Sequence, residues 1–344
     1  MIERHELLAS IVETTADYRQ GILPPPTSEH VDCWVKQFDD SFQLPILQEM
    51  DHVLKKTYFS RKKVKKILEQ LFKENSLVGN GPCAFWKSIK FLNIQERGAS
   101  QKEMLTLFNK ILEKKCGFQV NDCGKTSRTF FYLDDGIFTG NRIKNDFKSW
   151  IAGEAPEEAE VYVIIIALHI HGFCYAWRDI QKAIKLSGKK IKFFYKFLKK
   201  LEDRGKYATA SNVSPPTSDV LWPTTIPDNK EIKEYVNSLN HSVLFRSARQ
   251  ASSLNIFSSD TRRQILEQEF LKAGIQIRRE CLGLTPYQRP LGNSVLETLG
   301  FGSLIVTFRN CPNNAPLALW ADRSWHPLFD RATNTETSQQ EEDF

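Results

Sequence analysis

The run Thr129-Phe130-Phe131-Tyr132-Leu133-Asp134-Asp135-Gly136-Ile137-Phe138-Thr139-Gly140-Asn141-Arg142 carries the residue types best placed to do chemistry. Asp134 and Asp135 are adjacent carboxylates that can accept hydrogen bonds from two ribose hydroxyls or hold a hydrated Mg2+. Thr139 and Gly140 follow as a loop in which Gly140 can take positive φ. Backbone N–H groups there can converge on a phosphate at the start of the next helix. Gly136 gives flexibility before the loop, and Asn141 and Arg142 add donors, the guanidinium being a fork suited to phosphate. Acids first and an anion loop second is the order of parts for a sugar-phosphate site. The plainer reading is an acidic strand end and turn, because Asp, Gly, Thr and Asn are ordinary turn formers.

These residues need a frame. Thr129 to Leu133 is a continuous apolar run, the pattern of a central strand covered on both faces, whose C-terminal end is where open α/β sheets bind ligands. Arg142 to Ala152 carries Ile143, Phe147, Trp150 and Ile151 at helical spacing, and Glu160 to Ile170 reads as a second buried strand. Strand, helix and strand make a right-handed βαβ unit with adjacent parallel strands. The second strand runs into His169, His171 and Cys174, which lack a convincing fourth ligand for a metal; His171 stands as a substrate contact or a structural residue. A third strand is expected near Lys190 to Tyr195, followed by a short helix in which Phe197, Leu198 and Leu201 share a face.

Residues 1–76 read as a helical N-terminal region, winged-helix-like in one reading. Ser60 can cap a helix whose apolar face is Val64, Ile67, Leu68, Leu71 and Phe72. Lys62, Lys63, Lys65 and Lys66 then form either a nucleic-acid contact or a solvated face. Gly79 and Gly81 mark a boundary, so that residues 77–331 make the α/β domain. Within it, Gln101 to Lys114 is a clear helix, Ser211 to Asp228 a long loop, and Thr261 to Ala273 a helix that Gly274 ends. Ile275 to Ile277 then reads as a short strand, and Leu304 to Phe308 as a last buried one. Residues 332–344 are acidic, poor in apolar side chains and expected to be disordered.

Composition sets the class. The 344 residues are 41% hydrophobic and 26% charged, ample for a buried core, and the net charge of +6 permits anionic ligands without requiring them. Seven cysteines with no CxxC pair argue against a disulfide framework or zinc ribbon and for reduced thiols in a cytoplasmic protein. The N-terminus lacks the blocks of a signal peptide, and Val161 to Leu168 is too short to span a bilayer, so no membrane partner is expected.

At the acidic pair and the Thr-Gly loop the sequence resembles the phosphoribosyltransferase fingerprint. Asp134 and Asp135 match its ribose-binding acids and Thr139 with Gly140 its 5′-phosphate loop; Asn141 and Arg142 stand where the family has small or hydroxyl residues. Further blocks, Trp34 to Phe38, His171-Gly172, Leu201 to Arg204, Ser218 to Pro223, Phe257 to Gly274, Gly300 to Trp320 and Trp325 to Leu328, are similar to phosphoribosyltransferase-like proteins of bacterial conflict systems. The Asn310-Cys311-Pro312-Asn313-Asn314 block with Trp320 is the most specific. The resemblance implies a phosphoribosyltransferase-like α/β fold with a mainly parallel sheet flanked by helices and a helical N-terminal extension. It also implies an antiphage setting, at times beside a retron reverse transcriptase. Three functions fit. The chain is an enzyme acting at the anomeric carbon of a ribose-phosphate donor or nucleotide, with Mg2+ held at Asp134 and Asp135 directly or through water. Otherwise it is a silent nucleotide-sensing partner, or a DNA-binding regulator. Candidate substrate contacts are His171, Asn310, Asn313 and Asn314.

Overall fold

A computed structural model describes residues 3–96, 98–281, 283–322 and 324–331. Helices α1 (Arg4–Thr15), α2 (Ser28–Val35) and α3 (Asp40–Thr57) open the chain, ahead of a short strand β1 (Tyr58–Phe59). Next come α4 (Arg61–Phe72), α5 (Asn75–Val78), α6 (Pro82–Ser88), β2 (Lys90–Phe91) and α7 (Ser100–Cys116). The middle of the chain is β3 (Thr129–Ile137), α8 (Asn141–Ala152), β4 (Glu158–His169), α9 (Ile170–Ser187) and β5 (Lys190–Leu201). The remainder is β6 (Thr217–Ser218), α10 (Lys230–Asn237), β7 (Ala251–Ser252), α11 (Asp260–Glu280), β8 (Gln288–Arg289), β9 (Gly292–Asn293), β10 (Val306–Thr307) and α12 (Leu317–Trp320).

Packing divides the chain into two compact units, residues 61–201 and residues 1–60 with 202–344. The division falls at residue 60 rather than 76 because α4 turns Val64, Leu68, Leu71 and Phe72 inward and packs on α7. The basic helix thus belongs to the unit that holds the sheet. The acidic tail expected at residues 332–344 lies outside the described residues.

Unit 61–201 is built on a four-stranded parallel sheet in the order β2-β3-β4-β5. Strands β3 and β4 are adjacent and parallel, with Phe130 opposite Val161 and Leu133 opposite Ile164, as the βαβ pattern requires. Both faces are covered, which explains the unbroken apolar runs. On one face the ring of Tyr132 meets Phe147 of α8 at 4.9 Å, and Trp177 of α9 meets Tyr195 at 4.8 Å. On the other, Trp86 of α6 sits 4.9 Å from both Phe108 and Phe131, with its indole N–H on the Phe72 carbonyl.

Three expectations change here. Strand β3 runs on to Ile137, because Gly136 and Ile137 continue the ladder against Ala167 and Leu168. Strand β5 runs to Leu201 instead of giving way to a helix; its pairing with β4 extends to His169 opposite Leu201 and overrides the helical spacing of Phe197 and Leu201. The cysteines are not all reduced, since Cys83 and Cys116 are bridged, their Cα atoms 5.5 Å apart where α6 packs on the end of α7.

The unit of residues 1–60 and 202–331 is helical and loop-rich, with paired strands of two residues each. Its core gathers Trp34, Phe38, Phe270 and Trp325 in edge and stacked contacts. Helix α11 passes through Gly274 to Glu280, so residues 275–277 are helical rather than a strand. Gly274 serves close packing, as a Cβ there would come within 2.6 Å of the Pro290 backbone. Of the expected strand over 304–308, only Val306–Thr307 is paired, in parallel with β1. Among the described residues no helix is long and apolar enough to cross a membrane.

Candidate ribose-phosphate site

The acids lie inside the last paired stretch of β3, and the loop beyond them is only Phe138 to Gly140. In an extended strand consecutive side chains face opposite sides, and here the two acids have different surroundings. Asp134 is 3% exposed. The Tyr132 hydroxyl donates to its Oδ2 at 3.2 Å and the Asp135 N–H to its Oδ1 at 2.9 Å. Burial first, and then the charge of Asp135, pushes the Asp134 carboxyl up to about 6, against the pull of Arg142 and a Ser100 hydrogen bond. Asp135 is half-buried.

Arg142 reaches back across the strand end and donates to Ser100 Oγ at 3.2 Å, at the start of α7. Gly98 leaves room for it, since a Cβ there would come within 3.1 Å of its Nη1. Asp146, one turn further along α8, is buried, and its carboxyl too is pushed up to about 6, mainly by desolvation. Ser100, Tyr132 and Asp146 therefore join Asp134 and Arg142 in one polar cluster that the motif alone did not reveal. The only sequence signal for Asp146 was a carboxylate on the otherwise apolar face of α8.

The Thr139-Gly140 loop is held by a backbone-to-backbone fit. Gly140 caps α8 with φ 78°, and a Cβ on it would overlap the Gly172 carbonyl oxygen. A Cβ on Gly172 would overlap the Phe138 carbonyl oxygen in return. Two glycines thus bring the first turn of α9 against the loop that opens α8. Neither helix receives a hydrogen bond from its N-cap side chain. The Thr139 hydroxyl accepts a long 3.5 Å contact from the Asn141 N–H. Lys144 adds a cation that sequence reasoning missed, its Nζ 3.1 Å from Asn141 Oδ1 and 2.9 Å from the Tyr175 hydroxyl.

Asp134, Asp135, Gly136, Thr139, Gly140, Asn141, Arg142 and His171 all belong to unit 61–201, with His171 half-buried in the first turn of α9. His169 is fully buried, its ring 5.5 Å from that of Phe138, and burial pushes its imidazole down to about 3. Asn310, Asn313 and Asn314 belong to the other unit and are engaged there. Asn314 Nδ2 donates to the Asn293 carbonyl at 2.7 Å, the Asn313 carbonyl accepts from Asn293 N–H at 2.7 Å, and Asn310 bridges to Thr307. The Asn314 side chain thus ties its own loop to Asn293, while these contacts of Asn310 and Asn313 are made by their backbones.

The magnesium expectation divides between the acids. No three His, Cys, Asp or Glu side chains among the described residues converge as a metal cage. Asp134 does not fit as a direct ligand, because it is buried and both its oxygens already accept protein hydrogen bonds. Asp135 fits an ion that takes one or two carboxylates and otherwise keeps water and substrate phosphates.

The model of one family, PRTase-CE, matches residues 31–331. The chain belongs to the PRTase-CE family. Searches of the curated proteins and of the solved structures each found no match. The PRTase-CE match takes in the sheet, the Asp-Asp and Thr-Gly motif and the Asn-rich block together, so the α/β fold is phosphoribosyltransferase-like as the motif implied.

Proposed function

We propose that this PRTase-CE protein binds a ribose-phosphate donor or nucleotide at the C-terminal ends of β3 and β4 and acts at its anomeric carbon. The observation that carries this reading is the glycine-held junction of two helix N-termini beside the acidic strand end. The positive ends of two helices and the Thr139 hydroxyl suit a phosphate, with Lys144 adjacent. Asp135 is the acid for the ribose hydroxyls and, through water, for magnesium, which when bound neutralises charge on the donor's phosphates. Asp134 acts behind it, holding the Asp135 backbone while Arg142 and Ser100 fix the cluster. Departure of a leaving group from C1 builds positive charge on the ring, and a nearby carboxylate stabilises that state.

The test is calorimetry with phosphoribosyl pyrophosphate and nucleotides in the presence of Mg2+, followed by turnover of labelled donor. Replacing Asp134 and Asp135 together by Asn should abolish binding without lowering thermal stability. Thr139→Val should weaken binding by about 1–3 kcal/mol if its hydroxyl meets the phosphate. A wild-type chain that binds none of these ligands overturns the reading. Binding without turnover identifies a ligand-sensing partner instead of an enzyme. The setting we infer, antiphage defence beside a partner such as a reverse transcriptase, is supported by the sequence blocks shared with conflict-system proteins, and the neighbouring genes test it.

A further inference from the structure

A cavity of about 690 Å³ opens in the unit of residues 1–60 and 202–331, walled by Tyr207, Trp222, Phe245 and Val213 and flanked by Lys206 and Arg249. Its size lies within the range of about 300–1,000 Å³ usual for small-molecule sites. Three features make it selective. First, its wall presents apolar surface that folding leaves uncovered: Tyr207 is 43% exposed, Leu244 39% and Val213 65%. Second, its aromatic floor is fixed, because the Trp222 indole N–H donates to the Leu244 carbonyl at 2.9 Å and the Tyr207 and Trp222 rings meet edge-on at 6.4 Å. Gly205 is required beneath them, since a Cβ there would approach the Tyr207 ring to 2.5 Å and the Trp222 ring to 2.9 Å. Third, the wall is positive. Its two charged residues are Lys206 and Arg249, both exposed and neither in an ion pair among the described residues, and no carboxylate lines it. Asp203 is buried and is not part of the wall.

An exposed tyrosine ring, backed edge-on by a buried indole and flanked by two cations, is complementary to an aromatic ring bearing a phosphate. We propose that this cavity is a second ligand site, for a nucleoside monophosphate whose base stacks on Tyr207, which the buried Trp222 supports edge-on, and whose phosphate meets Lys206 and Arg249. Stacking accepts any base, while the guanidinium fork and the ammonium require the anion. The site shares no residue with the acidic motif, so it stands whether or not the ribose-phosphate reading does.

The experiment is calorimetry of the full chain carrying Asp134→Asn and Asp135→Asn, which silences the first site, with AMP, GMP, CMP and UMP as probes. Adenosine and ribose 5-phosphate are the controls. At least one monophosphate should bind, more tightly than either control, and Lys206→Ser with Arg249→Ser should weaken it about ten- to hundred-fold without lowering the melting temperature. Val213→Trp, at an exposed wall position, should block monophosphate and adenosine alike. The proposal falls if no monophosphate binds, if the Lys206 and Arg249 substitutions leave affinity unchanged, or if ribose 5-phosphate binds as tightly as the nucleotide.

Discussion

The two compact units satisfy their backbones in different ways. In residues 61–201 the buried carbonyls are met by a parallel ladder running the length of β3, β4 and β5, and the side chains above it are free to be rings and aliphatics. In residues 1–60 and 202–331 the paired strands are two residues long, and buried side chains take over. Arg263 is wholly buried, pairs with Glu267 at 2.8 Å and donates to the Ser218 and Val220 carbonyls. Arg246 serves the Trp222 and Gln250 carbonyls, and Gln250 serves those of Arg204 and Thr217. Glu267 also accepts the Trp222 N–H at 2.8 Å. A loop core must find a partner for each buried polar group separately, and a charged side chain that reaches several carbonyls does so compactly.

The largest expected effects would break each unit by its own device. Arg263→Met should cost about 3–5 kcal/mol by stranding Glu267 and the carbonyls it leaves behind. Trp86→Ala should cost a similar ~3–5 kcal/mol by emptying the ring cluster under β3. Hydrogen exchange followed by mass spectrometry should show protection lost chiefly in residues 202–331 for the first and in residues 61–201 for the second. Equal losses throughout the chain from either change would mean that the two units unfold as one.

A smaller effect concerns charge inside the sheet unit. The folded Asp134 titrates near 6 against an ordinary value of 3.8, so between those values the folded chain holds a proton that the unfolded chain has lost. Its contribution to stability is therefore present below about 3.8 and is lost as pH rises through about 6. Asp134→Asn should be more stable than wild type at pH 7, by on the order of 1–3 kcal/mol, and the advantage should vanish toward pH 4. A melting-temperature difference that is flat across this window would show that Asp134 is not held against its charge.

The smallest effect is at the rim of the same unit. Lys62, Lys65 and Lys66 are exposed on α4, so their replacement by Glu should alter stability by no more than about 0.5 kcal/mol each. If α4 meets nucleic acid, DNA affinity and its salt dependence should both fall. Unchanged affinity would leave the lysines as the solvated face of a packing helix.

The same contrast decides what the sequence disclosed. Period and run length report on regular hydrogen bonding, so β3, β4 and α8 were legible, as was the placing of the acids at a strand end. The continuation of β5 was not, because lysines alternating with Phe193, Tyr195 and Phe197 also carry helical spacings. Helix α9 was not anticipated, although Ala176, Ile180 and Ile184 lie at four-residue intervals. In the other unit Arg263 and Arg246 look like any surface cation in one dimension. At the candidate site the motif gave Asp134 and Arg142, but the residues that answer them, Ser100 and Asp146, are distant in sequence and have no pattern of their own.

The paired glycines at the mouth of the sheet make the Thr139-Gly140 loop and α9 a single mechanical part. Because the Gly140 backbone seats on the Gly172 carbonyl and Gly172 on that of Phe138, a slide or roll of α9 is transmitted to the N–H groups that open α8. Whatever grips the far end of that helix has a lever on the loop. Restoring either methyl group would wedge the two apart, and adding the second could not repair the first, so the two positions can change only at the expense of the site they form.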